Sequence, residues 1–375
     1  MAKIVNDTEL IFDESDIRED GSLDIAVFEN DNVKKEDITR VVLPDDLETI
    51  PKDAFEWCES LQEIHIPDSV TKIGPYAFWG CYSLQEIHIP DRVRRINSGT
   101  FQDCYSLQEI HIPNRVKKIS SCAFLGCKSL KEVNISDGVT EIGNDAFHGC
   151  ESLKEIHISN SVTKIGEDAF HSCESLQEID IPAGVTEIGG GAFRECKSLK
   201  EIRIADGVTE IGDEAFKYCV SLQKINIPNS VTKIGKYAFG HCVSLKEVDV
   251  PDGVIEIGFS AFDECKSLQK INIPDDVIKM SDYAFGRCHS LESIMYKKLN
   301  IRPLLDDAGR IDFSIIKSLA DNNLPLTDDM LGNAVEAKKE DRLKGFLVKT
   351  KKRLSEREVP DIDYSDSDDL NLERS

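Results

Sequence analysis

Apolar and polar residues recur along this chain in a fixed order with a period of 23. A representative copy, residues 61–83, reads LQEIHIPDSVTKIGPYAFWGCYS. Its L-x-x-I-x-I stretch alternates inward apolar and outward polar positions as a half-buried strand does, and the following proline ends the strand because it lacks a backbone donor. The V-x-x-I pair predicts a second short extended stretch. The A-F-x-x-C segment predicts about one helical or 3₁₀ turn.

The cysteines mark the period most clearly. Eleven of the twelve recur every 23 residues from Cys58 to Cys288, and only Cys122 is out of register. Eleven phenylalanines keep the same step, each three residues before a cysteine. A single repeat of this length cannot bury its own apolar side chains, so neighbouring repeats must stack into one continuous core. We therefore expect a solenoid of about eleven coils over residues 38–296.

The cysteine column lies within the apolar pattern, so we interpret its members as buried, reduced thiols that pack as small hydrophobic groups. Disulfides between neighbouring rungs of such a column remain a physical alternative. Metal binding by these thiols is less favoured, because the sequence has no C-x-x-C pair.

Both ends of a solenoid expose core and need caps. Residues 1–37 contain two apolar runs, 10–12 and 23–28, on either side of a D-G turn, which predicts a small β-hairpin cap. After the repeats, helical signals across 297–357 predict a helical C-terminal cap that weakly resembles ankyrin-type helix pairs. Residues 358–375 are acidic and aperiodic, and we expect them to be disordered.

The spacing L-x-x-I-x-I-P-x-x-V-x-x-I-x-x-x-A-F-x-x-C closely resembles the BspA-type leucine-rich repeats of 23 residues, which also occur in Treponema proteins. The resemblance covers about residues 38–296 and is specific, because eight positions recur together over ten copies. It implies an α/β solenoid that is curved and right-handed, with parallel strands on the concave face. It also implies binding of proteins or host surfaces without catalysis.

The outward strand positions are where we expect function, because the inward positions are used in packing. The first outward column is glutamate in seven successive copies, and carboxylates on neighbouring strands repel one another. We interpret this face as a docking surface for a basic or polar protein partner; a soluble surface merely copied by repeat duplication is an equal alternative. The candidate partner-binding residues on this concave face are Glu63, His65, Glu86, His88, Glu109, His111, Glu132, Asn134, Glu155, His157, Glu178, Asp180, Glu201 and Arg203.

Charge and motif content narrow the function classes. The chain has 45 basic and 69 acidic side chains and a formal net charge of −24, which argues against a nucleic-acid binder. Common hydrolase, P-loop and dinucleotide motifs are absent from the sequence, so we expect a protein without catalysis or cofactor. Zinc binding by His65 with Glu63, or by His111 with Glu109, is an alternative that we disfavour, and we predict no metal site.

The V-x-x-I side of each coil carries a threonine column beside a column of lysine and glutamate, whose mixed signs favour pairing between rungs. One group of side chains departs from this pattern and forms a local basic patch. Its members are Arg92, Arg94, Arg95, Arg115, Lys117 and Lys118. This patch either binds an anionic partner or is simply a solvated surface, and we favour the second interpretation.

Two functional hypotheses differ in location. The first is a cytoplasmic, monomeric interaction scaffold, since the N-terminus has acids where a secretory signal is apolar and no stretch suits a membrane span. The second is a BspA-like surface antigen or adhesin that reaches the surface without a cleavable signal. Residues 338–357 form a basic amphipathic segment, for which packing on the acidic solenoid is favoured over peripheral membrane contact.

Overall fold

The computed structural model describes residues 2–5, 8–29, 33–281, 283–296 and 299–301. In these residues the chain winds into a curved, right-handed solenoid of about 11 turns, with parallel strands on the concave face. Nearly every coil contributes one short strand to each of two ladders, and turns join them. Of the predicted helical cap, 297–357, the structure describes only residues 299–301, where Leu299–Asn300 is a strand rather than a helix. The rest of that segment and the predicted disordered tail, 358–375, lie outside the described residues.

The first ladder forms the concave face and is built from the L-x-x-I-x-I segments. Its strands pair in parallel at exact repeat register, so that Val133 lies between Ile110 and Ile156. The pairing is interrupted between Glu63–His65 and Glu109–His111 and again between Glu155–His157 and Glu178–Ile181, so the ladder consists of three sheets. Residues 85–89 contribute only an isolated bridge, between Glu86 and Glu109. The strands are Arg40–Val42, Glu63–His65, Glu109–His111, Glu132–Asn134, Glu155–His157, Glu178–Ile181, Glu201–Ile204, Lys224–Asn226, Glu247–Asp249, Lys270–Ile273 and Ser293–Tyr296, followed by the antiparallel Leu299–Asn300.

The second ladder is built from the V-x-x-I segments. Each strand has two residues, one polar and outward and the other buried. Thr49–Ile50 pairs in parallel with Lys72–Ile73, and the strands from Arg95–Ile96 onwards pair in parallel as a separate nine-stranded sheet. The strands are Thr49–Ile50, Lys72–Ile73, Arg95–Ile96, Lys118–Ile119, Glu141–Ile142, Lys164–Ile165, Glu187–Ile188, Glu210–Ile211, Lys233–Ile234, Glu256–Ile257 and Lys279–Met280.

The N-terminal region has a β-hairpin, but not between the predicted strands. The hairpin joins Lys3–Val5 to Glu9–Ile11, and Glu9–Ile11 then pairs in parallel with the first strand of the first ladder. The apolar run at 23–28 does not pair with residues 10–12, because its backbone is engaged elsewhere. Leu23 donates its N–H to the Thr49 carbonyl at 3.0 Å, and Ala26–Glu29 forms a 3₁₀ helix.

The helical turn predicted in each coil is wrong, and tight turns take its place. In one coil the Cys150 N–H donates to the Phe147 carbonyl at 3.2 Å, while the Phe147 N–H donates to Ala169 in the next coil at 2.8 Å. Asp145 adopts a left-handed φ of 54° in this turn. An α-helix would use these donors within its own segment, whereas here alternate donors bond to the neighbouring coil.

Regular helix is scarce in the described part of the chain. It contains no α-helix, and its 3₁₀ helices are Glu14–Asp16, Ala26–Glu29 and Lys35–Asp37. No helix found there has the length and apolar character needed to cross a membrane.

The phenylalanines form one continuous stack through the core. Rings of neighbouring coils lie 5.2–5.7 Å apart between centroids and within 19° of parallel, from Phe55 to Phe285. All eleven are fully buried. Offset stacking of this kind contributes beyond the apolar area that each ring buries.

The cysteine column is buried and unbridged, as the buried-thiol interpretation predicts. Each thiol from Cys81 to Cys288 in the column donates to a phenylalanine carbonyl of the preceding coil at 3.0–3.3 Å. The thiols are therefore weak hydrogen-bond donors that join coils, as well as packing groups.

Candidate protein-binding face

The strands of the first ladder sort their side chains strictly by face. In Glu63–His65 the central Ile64 is buried while Glu63 and His65 are exposed, and the same alternation recurs in the later strands. Because strand side chains alternate with a period of two, burying the isoleucine forces its two neighbours outward. The structure places all fourteen predicted residues, from Glu63 to Arg203, exposed on this face.

Exact register converts the repeated glutamates into a row of carboxylates. Glu132 pairs with Glu109 on one side and with Glu155 on the other, and adjacent strands are about 4.8 Å apart. Like charges in such positions destabilise a sheet. The row is therefore a feature that the fold tolerates rather than one that it needs.

Among the residues that the structure describes, ion pairs occur only towards the two ends of this row. Arg40 lies 3.5 Å from Glu63, and Arg203 lies 3.3 Å from Asp180 and 3.2 Å from Glu201. These two acids raise the pKa of the Arg203 guanidinium. Between the two ends is a group that we call the glutamate run, whose carboxylates have no cationic partner within the described ranges. The glutamate run consists of Glu86, Glu109, Glu132, Glu155 and Glu178.

The concave face contains a depression of about 780 Å³ over the first four of the predicted rungs. Its floor includes the nearly buried edges of Ile64, Ile87 and Ile110. The predicted residues that line it are Glu63, His65, Glu86, His88, Glu109, His111, Glu132 and Asn134. The remaining six predicted residues, from Glu155 to Arg203, lie further along the same face and outside the depression.

The chemistry of this depression is that of an acidic, hydrogen-bonding surface. Asn134 Nδ2 donates to Glu132 Oε1 at 3.4 Å, and Lys131 Nζ donates to Gln108 Oε1 at 2.8 Å. No group of three or more His, Cys, Asp or Glu side chains in the described residues is arranged to hold a metal ion. Carboxylates with an apolar floor suit lysine and arginine, whose stems are apolar and whose ends are cationic.

Mixed charges on the second ladder pair across coils, as the sequence predicts. Lys118 lies 2.7 Å from Glu141, and Lys233 lies 2.7 Å from Glu210. The pairing explains why these exposed charges are compatible with a continuous sheet.

An aromatic cluster at the turns of the early coils was not predicted. The two tryptophans of the chain, Trp57 and Trp79, lie in contact with ring centroids 4.7 Å apart. Tyr82 contacts Trp57 edge-on and stacks on Tyr105 at 4.8 Å. Trp57 and Tyr105 are each 38% exposed. The sequence does contain one indication of this cluster, because both tryptophans occur in consecutive repeats.

The cluster is held in place by its neighbours. Trp79 Nε1 donates to Asp103 Oδ2 at 3.1 Å. Gly80 has a left-handed φ of 75°, and a Cβ there would lie 2.5 Å from the Trp57 ring. Only glycine gives the ring this room. Burial and the nearby Asp103 carboxylate raise the pKa of the Tyr105 phenol.

The chain is similar to several proteins of known structure. Among solved structures, the chain is similar to a leucine-rich repeat protein from Bacteroides ovatus, with 29% identity over 68% of this chain and 80% of that chain, and a TM-score of 0.45. It is also similar to a leucine rich cell surface protein from Faecalibacterium prausnitzii, with 27% identity over 79% of this chain and 92% of that chain, and a TM-score of 0.45. No curated protein matches it.

The family assignment comes from the repeats themselves. A model of the BspA type leucine rich repeat region matches the chain in six copies, over residues 27–140, 95–222 and 209–308. These matches together span most of the chain and coincide with the coils of the solenoid. The chain therefore belongs to the BspA-type leucine-rich repeat family.

Proposed function

We propose that this protein is a non-catalytic interaction scaffold whose concave face binds a basic segment of a protein partner. The observation that supports this most directly is the glutamate run. Its five carboxylates occupy successive coils, are paired in register from Glu86 to Glu155, and have no cationic partner among the described residues. A partner that brings lysine or arginine side chains to this row would relieve the repulsion between rungs.

The depression gives the proposal a defined centre. Four rungs of acidic and imidazole side chains surround an apolar floor at Ile64, Ile87 and Ile110. An extended basic segment could lay its aliphatic stems on this floor and direct its charged ends to Glu86, Glu109 and Glu132. The column that varies in sequence, from His65 to Asn272, would then select among partners.

The test compares proteins captured from a native lysate by the wild type and by the variant Glu86→Lys, Glu109→Lys, Glu132→Lys. All three glutamates are exposed, so the variant should keep its thermal transition. A protein captured by the wild type and lost from the variant supports the proposal, provided that it also binds the wild type after purification. Identical captures from both would refute a role for the depression.

A surface antigen or adhesin is the second candidate, and membership of the BspA-type family is what favours it. The same acidic face would then meet a partner outside the cell. Protease added to intact cells distinguishes the two locations. It should leave an intracellular scaffold intact and should digest a surface protein.

A further inference from the structure

Two coils of the second ladder differ from the rest in their outward side chains. Two outward columns, four and two residues before the buried ladder residue, are small or hydroxylated in most coils and cationic only in these two. The first column, four residues before each buried ladder residue, reads Asp46, Ser69, Arg92, Arg115, Gly138, Ser161, Gly184, Gly207, Ser230, Gly253 and Asp276. The second column, two residues before it, reads Glu48, Thr71, Arg94, Lys117, Thr140, Thr163, Thr186, Thr209, Thr232, Ile255 and Ile278. All four substituted positions, Arg92, Arg94, Arg115 and Lys117, are exposed.

The small side chains in these columns bond the coils together. Ser161 Oγ donates to the Val139 carbonyl at 2.6 Å, and Thr163 Oγ1 donates to the Thr140 carbonyl at 3.1 Å. Similar bonds recur at Ser69, Thr71, Thr140, Thr186, Thr209, Ser230 and Thr232. The four cations make no such side-chain bond to the preceding coil in the structure as described. These two coils therefore carry positive charges at positions where several other coils have hydrogen bonds to the preceding coil.

The outward residues of the second-ladder strands are also cationic in this part of the solenoid. Lys72, Arg95 and Lys118 occupy successive coils with the same sign, and Arg95 lies directly opposite Lys118. Lys118 has a partner in Glu141 at 2.7 Å, but neither Lys72 nor Arg95 has a carboxylate partner in the described ranges. Like charges directly opposite each other destabilise a sheet. In later coils, lysines of this column pair with glutamates, as Lys233 does with Glu210.

We propose that these side chains form a binding site for an acidic segment of a protein partner. The basic cluster, as we name it, comprises Lys72, Arg92, Arg94, Arg95, Arg115 and Lys117. Wherever a lysine of this ladder has a partner, the partner is a carboxylate, and an acidic segment would supply the carboxylates that these coils lack. Arginine favours such a partner because its planar guanidinium matches a carboxylate in two parallel hydrogen bonds.

This site is independent of the proposed concave-face function. The two surfaces belong to different ladders and carry opposite charge, so they select opposite partners. The net charge of −24 does not prevent acidic segments from approaching, because charges further than about 8 Å are largely screened at physiological ionic strength. The local cluster therefore determines the encounter, and binding should weaken as salt is raised.

The test measures binding of a fluorescein-labelled oligoglutamate peptide by anisotropy. The variant Arg92→Ser, Arg94→Thr, Arg115→Ser, Lys117→Thr gives each position a residue that other coils already carry, so the fold should persist. The matched control is Lys154→Gln, Lys200→Gln, Lys224→Gln, Lys246→Gln. It also removes four exposed positive charges, from positions outside both the basic cluster and the depression. Circular dichroism and a thermal melt check that both variants fold.

We expect the wild type to bind oligoglutamate in a salt-dependent manner, the cluster variant to bind about tenfold or more weakly, and the control to bind as the wild type does. Equal losses in both variants would show that only net charge matters and would overturn the proposal. So would an absence of oligoglutamate binding, including the case in which heparin binds and oligoglutamate does not. Neutralising Glu86, Glu109 and Glu132 should not weaken oligoglutamate binding, which separates failure here from failure of the concave-face proposal.

Discussion

The Cys150 thiol donates to the carbonyl oxygen of Phe124 in the preceding coil at 3.3 Å. The same carbonyl also accepts the Cys127 N–H at 3.1 Å. One carbonyl thus receives a turn hydrogen bond from its own coil and a side-chain bond from the next. This arrangement repeats along the cysteine column, which therefore connects coils as well as filling space.

Replacing Cys150 with alanine should lower the free energy of unfolding by about 1–2 kcal/mol. The change removes a weak donor and leaves a small void, while the Phe124 carbonyl keeps its bond from Cys127. Urea unfolding measures the effect. The control is Cys122→Ala, because Cys122 is only partly buried and outside the column; its cost should be within about 0.5 kcal/mol. Equal effects at both sites would contradict a coil-joining role.

Thiol reactivity should separate Cys122 from the column. Burial raises the pKa of Cys58 to about 12 and raises the pKa of the more deeply buried thiols as well. A high pKa and lack of access both suppress the reactive thiolate. We expect Ellman's reagent at pH 8 to modify Cys122 in the native protein, and all twelve thiols after unfolding without reductant. Fewer than twelve after unfolding would indicate disulfides.

Replacing Phe147 with alanine should cost about 3–5 kcal/mol, because its ring lies between those of Phe124 and Phe170 in the continuous stack. The control is Phe259→Ala, since Phe259 is 39% exposed and should cost about 1 kcal/mol or less. Thermal and urea unfolding provide the comparison. A Phe147 variant as stable as the control would show that the stack adds little to the core.

The sequence was sufficient to predict the parts of the fold that depend on local alternation. The pattern around Ile64 predicts which side chains face inward, and a fixed period then places Glu109 beside Glu132 without further information. The faces, the register and the positions of the candidate residues follow from these two facts.

The parts that could not be predicted depend on contacts between coils. The spacing of Ala146, Phe147 and Cys150 suits a helical turn, but alternate backbone donors of this segment bond to the next coil, which local sequence does not reveal. The hairpin was misassigned for a similar reason, since Leu23 bonds to Thr49 rather than to a neighbouring apolar run. The depression follows from the packing of several coils, so its extent could not be predicted from any one repeat.

The free energy of unfolding should fall on mild acidification, because the folded protein holds the pKa of His171 below its ordinary value. Burial and the stacked ring of His148 lower the pKa of His171, and Arg194 adds to this; Asp168 and Glu195 oppose it but do not reverse it. The unfolded chain, with an ordinary histidine pKa of about 6.5, therefore binds more protons than the folded chain as the pH falls through that value. Stability decreases across this window and levels off below the folded-state pKa.

The variant His171→Gln removes this proton uptake. The free energy of unfolding should therefore depend less steeply on pH between about 7.5 and 5 in the variant than in the wild type. Urea unfolding at a series of pH values measures both slopes. Parallel curves would mean that His171 does not contribute to the acid sensitivity.

The central claim is that the glutamate run recognises a basic segment, and titration with a labelled oligolysine peptide tests it most directly. The wild type is compared with Glu86→Gln, Glu109→Gln, Glu132→Gln, which neutralises the depression. The matched control, Glu187→Gln, Glu210→Gln, Glu256→Gln, removes the same charge from the second ladder. We predict that the first variant binds about tenfold more weakly and that the control binds nearly as the wild type does. Equal affinities for the two variants would contradict recognition by the concave face.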